Sequence, residues 1–127
     1  MEAHAIDRYQ RVSARKLNRI LDLIRNRDVP QALNTLRFLN KPTKQPVLKT
    51  LESAVANAMN KAGKAKLEEK DLVVAEARVN GGPMLKRWRA GPRGMGMMIR
   101  RRTAHVHITV KTRTDAKTEA KTEAKRS

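Results

Sequence analysis

The side chains with the most obvious chemistry in this sequence are cations, and they are bunched. Lys86-Arg87-Trp88-Arg89, Arg93 and Arg100-Arg101-Arg102 crowd one short stretch, and from Ala77 to Thr114 there are 10 basic residues and no acidic one. Residues 1–76, by contrast, hold 15 basic and 9 acidic side chains. Guanidinium and ammonium groups without neighbouring carboxylates are suited to phosphate, because each phosphate they neutralise releases condensed counterions and strengthens attachment. An acid-free segment beside a mixed-charge body therefore reads as a separate contact element for a polyanion. Trp88 is the only aromatic residue in that segment, so base stacking on a regular aromatic ladder is not its main mode. Phosphate and ribose contacts to a folded RNA, with specificity from shape, fit the inventory better. Trp88 either stacks once or clamps its own ribbon.

Other chemistry is missing. The absence of Cys excludes a thiolate nucleophile, a disulfide framework and a Cys-based zinc site. No phosphate-binding glycine loop, nucleophile elbow or pair of catalytic carboxylates can be assembled. His105-x-His107 places two imidazoles on one strand face, but a metal site needs at least a third ligand, and His4 stands alone near the N-terminus. Surface or RNA-facing histidines are the better reading, and no catalytic residue, cofactor or metal is assigned. Met95-Gly96-Met97-Met98 is either a soft contact surface or a lightly packed turn.

The elements that must carry these cations follow from periodicity. Ala3 to Val12 alternate weakly, as an edge strand would, and Ser13 is placed to cap a helix. Leu17, Ile20, Leu21 and Ile24 form its apolar face, with Arg15, Lys16 and Arg19 directed elsewhere. Asp28 and Pro30 open a second helix carrying Leu33, Leu36 and Leu39, which stops near Asn40-Lys41-Pro42. Pro46 opens a third, in which Val47, Leu48, Leu51, Ala54, Val55, Ala58 and Met59 make one stripe. The charged stretch from Lys61 to Asp71 leads into a strand over Leu72–Val79. Its partner is Ala104–Val110, where Val106, Ile108 and Val110 share one face.

Between these strands Gly91-Pro92-Arg93-Gly94 marks the turn of two nearly equal arms. An arm from Val73 to Ala90 would be roughly 60 Å long at about 3.3 Å per residue, far beyond a body whose radius of gyration is near 13 Å. The arms offer charge rather than apolar surface, so the hairpin protrudes, and its tip orders when RNA holds it.

The predicted architecture is α+β: three helices packed on a short antiparallel sheet, with a long protruding β-hairpin. Residues 1–113 form one domain, with a body at 1–79 and 104–113 and a hairpin at 80–103. Residues 114–127, rich in Ala, Lys, Thr and Glu, are predicted to be a disordered tail. With 127 residues, a net charge of +17 and one each of Trp, Tyr and Phe, the core must be small and aliphatic. No secretory signal or membrane span is apparent, so a soluble cytoplasmic protein is expected, with no membrane partner and no homo-oligomer.

The chain resembles the universal large-subunit ribosomal protein 22 family, bacterial type. The resemblance runs from Ala3 to Val110. It rests on five motifs in order: Ser13-x-Arg15-Lys16, Leu23-Ile24-Arg25, Ser53-Ala54-Val55-Ala56-Asn57-Ala58, Gly82-Pro83-x-x-Lys86-Arg87 and Arg102-Thr103-x-His105. The resemblance implies a body on the outer side of the large subunit, near the exit of the nascent-peptide tunnel, and a hairpin running inward through ribosomal RNA to form part of the tunnel wall. Lys86 and Arg87 would lie on the inward arm, Arg100, Arg101 and Arg102 on the return arm, and Ala90, Gly91, Pro92, Arg93 and Gly94 at the tip. The RNA-binding set is then Arg11, Arg15, Lys16, Arg19, Lys86, Arg87, Trp88, Arg89, Arg93, Arg100, Arg101, Arg102 and His105. Neighbouring large-subunit proteins and the nascent peptide are the further partners implied, and early assembly is the implied role. The tip departs from the family's usual Pro-Arg-Ala-x-Gly-Arg-Ala and reads Ala90-Gly91-Pro92-Arg93-Gly94-Met95-Gly96. A nucleoid or regulatory DNA-binding module is the rival reading, and a metal-dependent enzyme using His105 and His107 a distant third.

Overall fold

The computed structural model describes residues 1–63 and 67–126 of the chain. Residues 64–66, within the charged stretch after the third predicted helix, and Ser127, the end of the predicted tail, lie outside the described residues. The elements run β1 (Glu2–Gln10), α1 (Ala14–Leu21), α2 (Val29–Phe38), α3 (Lys44–Ala62), β2 (Leu72–Gly81), β3 (Leu85–Ala90), β4 (Gly96–Arg101), β5 (Ala104–Thr112) and α4 (Arg113–Arg126). The fold is α+β, as the sequence predicts.

One antiparallel sheet has the order β1-β5-β2, with β5 in the middle. The alternation in β5 sends Ala104, Val106, Ile108 and Val110 inward to complete burial. Ala3 and Ala5 of β1 and Val74 and Ala77 of β2 join them from either side. α3 packs across β1 and β5 through the stripe Val47, Leu51, Ala54, Val55 and Ala58, all buried. Leu17, Ile20 and Leu21 of α1 and Ala32, Leu33 and Leu36 of α2 close the same core. Each fully buried Leu or Ile contributes about 1.5–3 kcal/mol relative to an exposed one. Among the described residues the buried apolar core is built from Leu, Ile, Val and Ala alone, and all three aromatic side chains are on the surface.

Local boundaries have local causes. Ser13 is the N-cap of α1, but its carbonyl, not its hydroxyl, receives the first amides, those of Lys16 and Leu17. The helix ends at Leu21, earlier than the apolar spacing suggests, because Asn26 turns left-handed (φ 57°) and the chain locks onto β2: the Asn26 amide donates to the Val74 carbonyl and the Val74 amide to the Arg27 carbonyl. Ile24 nevertheless stays fully buried in the intervening turns. α3 stops where Gly63 adopts φ 57° and ψ −116°, a positive-φ conformation that glycine reaches without steric cost.

Two differences from the sequence reading concern the ends of the molecule. First, the long arm is not one continuous pair of strands. β2 and β5 stop pairing at Gly81↔Ala104, and β3 and β4 form a separate two-stranded sheet beginning at Leu85↔Arg101. Pro83 has no amide to donate, and the gap is stitched instead by Gly82 N–H to the Thr103 carbonyl (2.8 Å) and Thr103 Oγ1 to the Pro83 carbonyl (2.6 Å). Second, the segment predicted to be disordered forms α4. Ala, Lys and Glu are strong helix formers, and Asp115 in the first turn with Lys125 and Arg126 in the last complement the helix dipole. Arg113 pairs with Asp28, and Asp115 receives bonds from the Met1 α-amine and Thr112, which hold its carboxyl below the usual range. The absence of large apolar residues excludes a share in the core but not a helix laid against β2 and β5.

Candidate nucleic-acid interface

The ribbon β3–β4 presents its cations on two faces. Register places Lys86 opposite Arg100, Arg87 opposite Ile99, Trp88 opposite Met98 and Arg89 opposite Met97, so Lys86, Trp88, Met98 and Arg100 share one side and Arg87, Arg89, Met97, Ile99 and Arg101 the other. Trp88 covers the bare backbone of Gly96, where a Cβ would lie 3.3 Å from the indole Cε3, and still leaves 73% of its surface in solvent. It therefore clamps the ribbon and offers a free face at once. Among the described residues no carboxylate pairs with Lys86, Arg87, Arg89, Arg93 or Arg100 to Arg102. The Arg87 guanidinium meets the Lys86 carbonyl, and that of Arg102 meets the Met84 sulfur.

The tip is a single tight turn. Arg93 (φ 56°) and Gly94 (φ 72°) are both left-handed, and the Gly91 amide donates to the Met95 carbonyl at 2.6 Å. A Cβ on Gly91 would meet that same carbonyl oxygen, so glycine is required there for closure. Ala90, Pro92 and Arg93 complete this turn, with Met95 and Met97 largely exposed beside it.

Where the ribbon joins the body, cations distant in sequence converge. Arg11, Lys16, Arg100, Arg101 and Arg102 line an open cleft of about 470 Å³ together with Val12, Ser13 and Thr43. Arg102 also borders a second cleft of about 470 Å³ with Arg15, Ser13, Gly82 and Thr103. Arg19, exposed one turn further along α1, lines neither. The predicted residues thus form a basic root and a basic ribbon, with Arg19 at the margin. Such an arrangement can hold a polyanion backbone at the root and along the ribbon.

His105 has a role of its own. It faces outward from β5, and its Nδ1 accepts the Tyr9 amide at 3.0 Å. Its Nε2 lies close over Gly82, where a Cβ would sit 3.2 Å from it and would run into Thr103 Oγ1. Around it lie His107, its companion on the same strand face, and residues that the sequence reading did not single out: Tyr9, Arg8, Arg78 and Asn80. The alternation of Ile6 and Arg8, and of Glu76, Arg78 and Asn80, was the available signal, since these positions fall on the outward face. His107 sits between Ile6 and Arg78 in register, and its Nε2 meets the Asn80 amide at 3.3 Å.

Partial burial, then the charges of Arg78, His105 and Arg8, lower the His107 pKa below its ordinary 6.5, with Glu76 opposing. As pH falls, the unfolded chain takes up this proton before the folded one, so the contribution of His107 to stability is complete above 6.5 and declines below it. We expect the urea midpoint to fall between about pH 7 and about pH 5, and to fall less in His107→Asn. An identical decline in that variant would assign the effect to another group.

A family model described as ribosomal protein L22p/L17e matches residues 5–111. Proteins named large ribosomal subunit protein uL22 are similar along almost their whole length. That of Bifidobacterium longum (strain DJO10A) is 43% identical over 119 residues, covering 92% of this chain and 100% of the relative. That of Clostridium novyi (strain NT) is 43% identical over 113 residues, 89% and 99%, and that of Fusobacterium nucleatum subsp. nucleatum 45% over 112 residues, 87% and 96%. No described helix is long and apolar enough to cross a membrane. The matched span takes in the body, the basic root and the entire ribbon, and the chain therefore belongs to the ribosomal protein L22p/L17e family, in its bacterial form, which is not an enzyme family.

Proposed function

We propose that the chain is a structural constituent of the large ribosomal subunit that binds large-subunit ribosomal RNA, supports assembly, and lines the nascent-peptide exit tunnel with its hairpin tip. The observation that carries this reading is the ribbon with its root: seven cations between Lys86 and Arg102, without a carboxylate partner among the described residues and continuous with Arg11, Arg15 and Lys16 on the body. Family membership supplies the assembly. The charge supplies the mode, phosphate-directed and salt-dependent. Neighbouring large-subunit proteins meet the body, and the nascent peptide meets the glycine- and methionine-rich tip, where Met95 and Met97 give a soft apolar surface. The working location is the ribosome in the cytoplasm.

Gradient sedimentation of a gently prepared lysate tests this. We expect the protein to migrate with the large subunit through a moderate salt wash and to leave that position when ribonuclease destroys the RNA. Migration with DNA or as free protein would overturn the reading in favour of a nucleoid or regulatory role.

A further inference from the structure

We propose that Tyr9 is a stacking platform for one unpaired base of the bound RNA, set at the root of the ribbon and separate from the phosphate-directed cations. This rests on the RNA-binding reading above and adds to it a site for a nucleobase.

Three observations carry it. The first is where aromatic surface lies. A small core that could use ring volume is wholly aliphatic, yet Tyr9 keeps 63% of its surface in solvent. The second is backbone cost. Between Asp7↔Val106 and Gln10↔Ala104, β1 has Arg8 and Tyr9 where β5 has only His105. The bulge puts Tyr9 at φ 58°, a left-handed conformation that favours glycine and that bulky side chains rarely adopt. A bulge with glycine there would close with less strain, so what the site retains by keeping Tyr is the ring.

The third is support. The Tyr9 amide donates to His105 Nδ1, and the two rings meet edge to face with centroids 4.9 Å apart and planes at 89°. The imidazole is itself backed by Gly82, where a Cβ would lie 3.2 Å from its Nε2. Tyr9 is thus fixed by its neighbours with a broad face left open. Arg8 and Arg78 border the same outward surface, so a base on the ring would have cations within reach of its flanking phosphates. An aromatic ring beside cations is the combination that holds an unstacked base, and every base has a face that can use it.

The test is binding of the full chain to in-vitro-transcribed large-subunit ribosomal RNA across a salt series, with thermal unfolding measured in parallel. Tyr9→Phe keeps the ring and should bind as the wild type does. Tyr9→Ala should lose between about 5-fold and about 100-fold in affinity with an unchanged salt slope, since no charge is removed. Tyr9→Gly separates stacking from folding: it should unfold at a higher temperature, because glycine suits the left-handed backbone, and yet lose affinity as Tyr9→Ala does. If Tyr9→Gly binds like the wild type, the platform is disproved. If it unfolds at a lower temperature and binds weakly only where it is unfolded, Tyr9 is a structural cover for His105 and the proposal also fails. A wild-type chain with no affinity for this RNA would overturn the RNA-binding reading along with it.

Discussion

Replacing Arg100, Arg101 and Arg102 together by Gln should lower affinity for large-subunit RNA on the order of 10³-fold at moderate salt. A charge-assisted hydrogen bond to a phosphate is worth about 1.5 kcal/mol or more, close to tenfold per arginine. The dependence of log affinity on log salt should flatten by about one unit for each phosphate contact removed. The three arginines lie on the return strand and its exit, where they share a cleft with Arg11 and Lys16, so their positions matter as well as their charge. A second variant isolates position: Lys117, Lys121 and Lys125 of α4 replaced by Gln takes the same three charges from the same net +17. If RNA binding followed total charge alone, the two variants would match. The cleft requires that the arginine variant lose most of its affinity and the α4 variant little. Equal losses would reduce the root to part of a general electrostatic attraction.

The sequence made the body legible wherever a period was long enough to count. The stripe from Val47 to Met59 names α3, and the alternation around Val106, Ile108 and Val110 names the central strand, because burial of one face imposes 3.6- and 2-residue periods directly on residue type. The site was legible in its charge and obscure in its assembly. Arg100 to Arg102 stand out by composition as candidates for phosphate contact, but their meeting with Arg11 and Lys16 depends on how the ribbon leaves the sheet, and that is set by Gly82, Pro83 and Thr103 through bonds made only after folding. Tyr9 was hidden for a related reason. A left-handed tyrosine has no sequence signature; its conformation follows from two residues of β1 facing one of β5. α4 was misread because low hydrophobicity argues against a core position more strongly than it argues against a helix. Its anchor, Arg113 on Asp28, joins residues from opposite halves of the chain.

Excising residues 83–102 and joining Gly82 to Thr103 through Asn-Gly should abolish high-affinity RNA binding while leaving the body folded. Gly82 and Thr103 already face each other across one backbone hydrogen bond of 2.8 Å, and Asn-Gly is the preferred two-residue turn for such a pair. No side chain between Pro83 and Arg102 belongs to the core. The cost is the bond from Thr103 to the Pro83 carbonyl, about 0.5–1.5 kcal/mol. Against it, shortening a loop about tenfold lowers the closure entropy by about 2 kcal/mol if the free ribbon is flexible, as an isolated two-stranded ribbon in water should be. The two terms nearly offset, with the balance toward stability, so the melting temperature should stay within a few degrees of the full chain or rise, with helical circular dichroism intact. The excision also removes seven of the 29 basic residues, and with them the whole ribbon, so the loss of RNA affinity should exceed that of the arginine variant. Loss of cooperative unfolding would show that the ribbon props the sheet through Gly82 and Thr103. Retained RNA affinity would shift the contact surface to the body, where Arg11, Arg15 and Lys16 on one side and Arg8, Tyr9 and Arg78 on the other would then have to carry it.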